Sequence, residues 1–191
     1  MDGYPSSIEL LVKYLRERNI PSPVRLKAVF CHSEYLYDWQ RKIIEDYFGC
    51  KCFNWYAMEE RVILGLECEK HEGLHLINDF GVTEFVGDGE YKRIIATNLE
   101  NFVMPFIRYD TGDVGKLLDR KCSCGRGFPL FEIAGGRQKS FAVAKDGSLI
   151  PVANIDIPNA TENVYQFQFV QERKGELTLS IIKTPSFADS D

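Results

Sequence analysis

Between Ser6 and Arg18 the apolar residues fall at Ile8, Leu10, Leu11, Tyr14 and Leu15. That spacing predicts an amphipathic helix, with Ser6 or Ser7 as its N-cap. Pro21 and Pro23 mark the exit, since neither continues a helix. Val24–Cys31 then reads as a strand. Tyr37–Phe48 carries Ile43, Ile44, Tyr47 and Phe48 on one stripe and predicts a second helix, stopped by Gly49. Lys51–Trp55 reads as another short strand. The alternation of helix and strand to this point predicts an α/β layer with parallel pairing.

After Tyr56 the pattern shortens. Leu74–Asn78, Val82–Val86, Arg93–Thr97 and Phe106–Tyr109 read as brief strands separated by turns at Gly81, Gly87-Asp88-Gly89 and Thr111-Gly112-Asp113. They predict an antiparallel, β-barrel-like region. A strand at Leu130–Ile133 follows, and Ala134-Gly135-Gly136 makes the strongest boundary in the chain, because paired glycines uncouple what flanks them. Beyond it lie a hairpin over Phe141–Ile150 around Asp146-Gly147, a short helix starting in Pro151–Asp156, and two strands, Val164–Val170 and Glu176–Ile182. The tail Pro185–Asp191 reads as frayed. The expected fold is mixed α/β: an α/β layer, then the barrel-like region, then a small α+β C-terminal domain, divided as 1–136 and 137–191.

Composition narrows this picture. At 191 residues, 45% hydrophobic and 13% aromatic, the chain can bury a sizeable core. A net charge of −5 speaks against nucleic acid as the partner. No apolar run is long enough for a bilayer, and the opening MDGYPSS has no charged-then-apolar signal pattern. The expectation is a cytoplasmic protein with no membrane partner, in which the six cysteines act as metal ligands or free thiols rather than as a disulfide framework.

The candidate chemistry centres on Arg108-Tyr109-Asp110-Thr111-Gly112-Asp113. Pro105 suits a strand entrance, and an Asp on a glycine turn can accept two hydroxyls of a ribose through its two oxygens. The alternative is an Asx-type turn between strands. The segment PFIRYDTGD resembles the PLIRYRTGD segment of the phenylacetate-CoA ligase and CapK family, within the adenylate-forming (AMP-forming acyl ligase) superfamily. Further similar segments follow in family order: GYPSS (Gly3–Ser7), Ser33-Glu34, Tyr56–Glu60, GLH (Gly73–His75), ATNLEN (Ala96–Asn101), CSCGRG (Cys122–Gly127) and GGR (Gly135–Arg137). The resemblance runs from about Gly3 to Asn154 and continues more weakly to the C-terminus. It implies that 1–136 is the C-terminal part of a large adenylate-forming domain and 137–191 an incomplete small domain.

The resemblance also implies roles. Tyr56 would flank adenine, Glu60 would be the magnesium carboxylate, Asp113 would grip the ribose, and Arg137 would reach the nucleotide. Lys139 would be the hinge between domains, and Ser33-Glu34 would border the acyl pocket, with His32 in place of the family's Gly. Ala57 and Glu59 depart from the family's Tyr-Gly-x-Ser/Thr-Glu pattern, and a second carboxylate at Glu59 would repel phosphate. The other reading of Tyr56–Glu60 is a surface Glu pair starting a helix. Lys139 has the alternative of an ordinary solvated charge.

Cys122-Ser123-Cys124-Gly125 is a tight knuckle, and Cys68 stands before His71 and His75. Three thiolates and an imidazole would make a closed, structural zinc site. The resemblance favours Cys68, His75, Cys122 and Cys124, with His71 competing for the imidazole position. Free buried thiols are the alternative. Cys50 and Cys52, two apart on a strand, read as core residues sharing a face.

Two parts of an adenylating enzyme are not found in this stretch: a Ser/Thr/Gly-rich triphosphate loop, and a catalytic Lys in a Gly-Lys context near the end. Two expectations therefore stand side by side. One is a piece of a ligase that uses ATP and Mg2+ to turn a carboxylic acid, such as an aryl acid, into an acyl-adenylate and then passes it to coenzyme A. Its CapK branch is tied to capsular polysaccharide biosynthesis. The other is a non-catalytic, zinc-stabilised relative of the same fold. A homodimer is compatible with either.

Overall fold

The computed structural model describes residues 1–137, 141–147, 149–152, 164–185 and 187. The chain divides into two compact units, Met1–Ala134 and Gly135–Asp191. The first is mixed α/β. Its strands are β1 (Asp2–Gly3), β2 (Ala28–His32), β3 (Lys51–Ala57), β4 (Leu64–Glu67), β5 (Leu74–Leu76), β6 (Gly81–Val86), β7 (Lys92–Asn98) and β8 (Tyr109–Leu118), with helices α1 (Pro5–Glu17) and α2 (Asp38–Phe48). β9 (Leu130–Arg137) completes one nine-stranded sheet in the order β1-β2-β3-β4-β5-β9-β8-β7-β6.

The expected α/β layer is present: β1–β2 and β2–β3 pair in parallel. Val29, Cys31 and Cys52 point to one face, where Ile8 and Val12 of α1 and Ile44 and Phe48 of α2 cover them. Each fully buried aliphatic side chain there contributes about 1.5–3 kcal/mol. α1 departs from the sequence reading in two ways. Pro5 opens it, with Tyr4 as N-cap, so neither Ser6 nor Ser7 caps the helix; a proline fits the first helical position, where no N–H is needed. Its buried row is Ile8 and Val12, while Leu10, Leu11 and Tyr14 are exposed. α2 ends as expected, with Gly49 in the left-handed conformation at φ 63°. Cys50 and Cys52 do not share a strand face. Cys50 lies before β3 and is half-buried, and Cys52 is fully buried.

The pairs β3–β4, β4–β5, β5–β9, β6–β7 and β7–β8 are antiparallel, but among the described residues the strands form no closed barrel. They continue the same sheet outward to β6. Two strands, β1 and β4, have no counterpart in the sequence reading. The largest correction concerns Thr111-Gly112-Asp113, which is not a turn. β8 runs straight through it, and the expected strand at Phe106–Tyr109 is instead loop up to Arg108. Arg93 pairs with Val114 and Ile95 with Asp110, so the single Ile94 of β7 faces Thr111, Gly112 and Asp113. This is a β-bulge. Gly112 takes φ 75°, Asp110 Oδ1 accepts Gly112 N–H (3.1 Å) and Thr111 Oγ1 accepts Asp113 N–H (3.1 Å).

In the second unit β10 (Phe141–Val143) pairs with β11 (Leu149–Pro151), and β12 (Val164–Arg173) with β13 (Glu176–Lys183), all antiparallel. Gly147 and Gly175 turn the two hairpins with φ 94° and 78°. Pro151 ends a strand, and the rest of the helix expected over Pro151–Asp156 lies, after Val152, outside the described residues. Most of the tail does as well.

Candidate functional site

The bulge on β8 carries Asp113 toward the end of β3. Thr111, 5% exposed, donates its hydroxyl to the Ile94 carbonyl (2.9 Å) and thereby pins the bulge to β7. Tyr56 Oη then donates to Asp113 Oδ2 at 2.9 Å across 57 positions of sequence. The Tyr56 ring meets Phe131 edge-on, with centroids 6.0 Å apart. Burial, and next the Asp113 carboxylate, raise the Tyr56 phenol above its ordinary range; Glu60 adds to the same effect. Tyr56 is therefore a neutral hydroxyl donor, and it orients the carboxylate.

Glu60 lies in the turn after β3, so no helix starts there. Tyr109, at the start of β8, donates its hydroxyl to Glu60 Oε1 at 2.6 Å. Two tyrosine–carboxylate pairs thus bridge the β3 exit and β8. Tyr109 was not singled out from sequence, where it read only as a strand residue. Glu59 and Ala57 are exposed beside this pair. Ser33 follows β2 in the left-handed conformation (φ 67°) and its hydroxyl lies 2.8 Å from His32 Nδ1. Glu34 Oε2 accepts the Ser6 N–H (3.1 Å) at the start of α1, where a carboxylate complements the helix dipole. Arg137 ends β9, and its side chain is not among the described ones; Lys139 lies outside the described residues altogether.

The cysteine ligands come together. One donor atom from each of Cys68, His75, Cys122 and Cys124 lies within 4.8 Å of the others. Cys68 Sγ is 3.5 Å from Cys122 Sγ, and His75 Nε2 is 3.5 Å from Cys124 Sγ. A tetrahedral zinc with sulfur ligands at its usual bond length separates those sulfurs by roughly 3.8 Å, so the donor set fits that ion. Cys68, His75 and Cys122 are buried and Cys124 is half-buried. The Arg126 N–H, 3.5 Å from Cys124 Sγ, leads the effects that pull this thiol down to about 7. At Cys122 the Cys124 N–H pulls the thiol down, but burial and the neighbouring thiols outweigh it and push it up to about 12.

His71 stays out of the cluster. Its Nδ1 lies 3.1 Å from Glu67 Oε2 and 3.0 Å from Arg41 Nη1. These three side chains form a largely buried group beside a polar cavity of about 310 Å3. Sequence gave no signal for it, because Arg41, Glu67 and His71 meet only after α2 packs on the sheet.

No protein-family profile matches the chain. Among solved structures, 2-hydroxyisobutyryl-CoA ligase in the postadenylation state, in complex with 2-HIB-AMP, superposes with a TM-score of 0.77. It is 24% identical, covering 97% of this chain and 43% of that one. The chain has the fold of the adenylate-forming ligases. Among curated proteins, phenylacetate-coenzyme A ligase of Thermus thermophilus is 27% identical over 195 residues, 94% of this chain and 43% of the relative. Protein CapK of Staphylococcus aureus is 31% identical over 114 residues, 59% of this chain and 25% of the relative. The chain is a homologue of phenylacetate-CoA ligase, and it spans less than half the length of the curated relatives it matches.

Proposed function

We propose that this chain supplies the nucleotide side of an AMP-forming acid–coenzyme A ligase. The observation that carries the reading is the Tyr56–Asp113 pair on the β8 bulge, in a homologue of phenylacetate-CoA ligase. Such a ligase joins a carboxylate to the α-phosphate of ATP, releases pyrophosphate, and exchanges AMP for the thiol of coenzyme A. Asp113, oriented by the Tyr56 hydroxyl, accepts the two ribose hydroxyls, and the Tyr56 ring flanks the adenine. Glu60, held by Tyr109, is the carboxylate for Mg2+, which when bound neutralises phosphate charge. Arg137 reaches the nucleotide, Lys139 is the hinge between a large domain ending near residue 136 and a small one, and Ser33-Glu34 borders the acyl pocket. The acid is a small carboxylic acid, an aryl acid being the first candidate, and the enzyme works in the cytoplasm; among the described residues no helix is long and apolar enough to cross a membrane.

In the same reading Cys68, His75, Cys122 and Cys124 hold a zinc ion. Four protein ligands leave no open position, so the ion ties the β4–β5 connection to the β8–β9 connection and takes no part in the chemistry.

The test is calorimetric titration of the protein purified from its source cells with a non-hydrolysable acyl-adenylate analogue. Binding that is lost in Asp113→Ala and weakened about tenfold in Tyr56→Phe supports the assignment, a tenfold loss being the effect of one hydrogen bond to a charged group. Binding that is unchanged in Asp113→Ala overturns it. The similarity to CapK and the exposed Glu59 favour one second reading, a relative acting in polysaccharide biosynthesis; an adenylate-binding protein without coenzyme A ligase activity on aryl acids would point there.

A further inference from the structure

The four metal-ligand candidates come from two segments 54 positions apart, measured between Cys68 and Cys122. A metal ion can join such segments only after they have been brought together, and the cost of ordering them is set against its affinity. One side chain already spans the gap. Glu72, on the segment between Cys68 and His75, accepts the Ser123 hydroxyl at Oε1 (2.6 Å) and the Ser123 N–H at Oε2 (3.0 Å). Ser123 is the residue between Cys122 and Cys124. Arg120, just before the knuckle, donates to the same carboxylate (3.4 Å) and to the Glu72 carbonyl (2.5 Å). The Ser123 hydroxyl, followed by its N–H, holds the Glu72 carboxyl below the usual carboxylate range.

We propose that Glu72 is a positioning residue for the metal site. It docks the Cys122–Cys124 knuckle onto the Cys68–His75 segment, so the four donors are gathered before the metal arrives. This rests on the zinc reading above. The physical basis is the two-point grip. A carboxylate that takes both the N–H and the O–H of one residue fixes that residue's orientation as well as its position. Because Ser123 is covalently bonded to both cysteine ligands, its orientation sets the direction of both. The neighbouring pair Arg126–Glu69 (3.1 Å) joins the same two segments, but its side chains are about half exposed, and ion pairs of that kind contribute little.

The experiment is competition for Zn2+ between the protein and a chromophoric chelator, with Co2+ substitution read by its visible d–d absorption. Glu72→Ala is expected to weaken Zn2+ binding 10–100-fold, the usual effect of removing a group that orients ligands. Glu72→Gln loses one of the two acceptors and falls between it and wild type. Ser123→Ala, which keeps its N–H, loses less than Glu72→Ala. Glu69→Ala removes the same charge from the same strap and stays within threefold of wild type. The Co2+ band keeps its intensity but broadens in Glu72→Ala, because the ligands remain and only their arrangement loosens. A general structural role would instead lower the urea midpoint of the metal-free and metal-loaded forms alike. Wild-type affinity in both Glu72→Ala and Glu72→Gln overturns the proposal alone. A wild-type protein that takes up neither Zn2+ nor Co2+ overturns the zinc reading and this one with it.

Discussion

Arg41 and Glu67 hold the first unit together through charges that are nearly out of water, and removing either should be costly. Arg41 Nη2 and Nη1 donate to the two oxygens of Glu67 at 2.8 and 3.0 Å, with side-chain exposures of 17% and 8%. The same guanidinium donates to the Cys52 carbonyl, and Glu67 also accepts the Asn54 N–H at 2.7 Å. The pair therefore ties α2 to β3 and β4 at once. Arg41→Met fills most of the same volume but leaves Glu67 without its cation. Breaking a buried pair from one side costs about 3–5 kcal/mol, a large share of a typical domain's total of about 5–15 kcal/mol. Glu67→Gln leaves the guanidinium without its anion and should cost a similar amount. The double variant Arg41→Met with Glu67→Gln removes both charges, so it should cost clearly less than the sum of the singles, with a coupling of about 2–3 kcal/mol. Urea denaturation at saturating zinc, followed by the fluorescence of Trp39 and Trp55, measures all four proteins. Single losses under about 1 kcal/mol that simply add in the double variant would mean the pair behaves as a surface ion pair, and the reasoning would be wrong.

Two shorter predictions concern the scaffold of the site. Phe131 is fully buried between Tyr56 and Phe85, and its ring so fills the space over Gly65 that a Cβ there would lie 2.5 Å from Cζ; Phe131→Ala should lower stability by about 3–5 kcal/mol in the same urea assay. Gly112 has φ 75° with nothing within 4 Å of an added Cβ, so Gly112→Ala should cost about 1–2 kcal/mol from backbone strain alone, and a larger loss would show that the bulge has a steric limit not visible in its surroundings.

Much of the first unit was legible in the residues. The helix over Tyr37–Phe48 and its glycine stop came from a 3.6-residue stripe and a left-handed cap, both local properties. The parallel layer followed from helices placed between short apolar runs. The barrel-like expectation went further than the turns could support, because the same short strands form a closed barrel or an open sheet depending on pairings between distant residues. Thr111-Gly112-Asp113 misled for a related reason: a glycine with positive φ serves a turn and a bulge equally well, and only the strand beside it decides which one forms.

By itself the sequence determined the two helices and the parallel layer they flank, the residue types a nucleotide or a metal could use, and the resemblance that ordered them. Each of these depends on chemistry within a few residues. Only the tertiary structure decided that Tyr56 donates to Asp113, that Tyr109 holds Glu60, that His75 rather than His71 faces the cysteines, and that Glu72 grips Ser123. Those partners lie between 49 and 57 positions apart. No periodicity reaches that far, so the packing of the sheet selects which side chains meet.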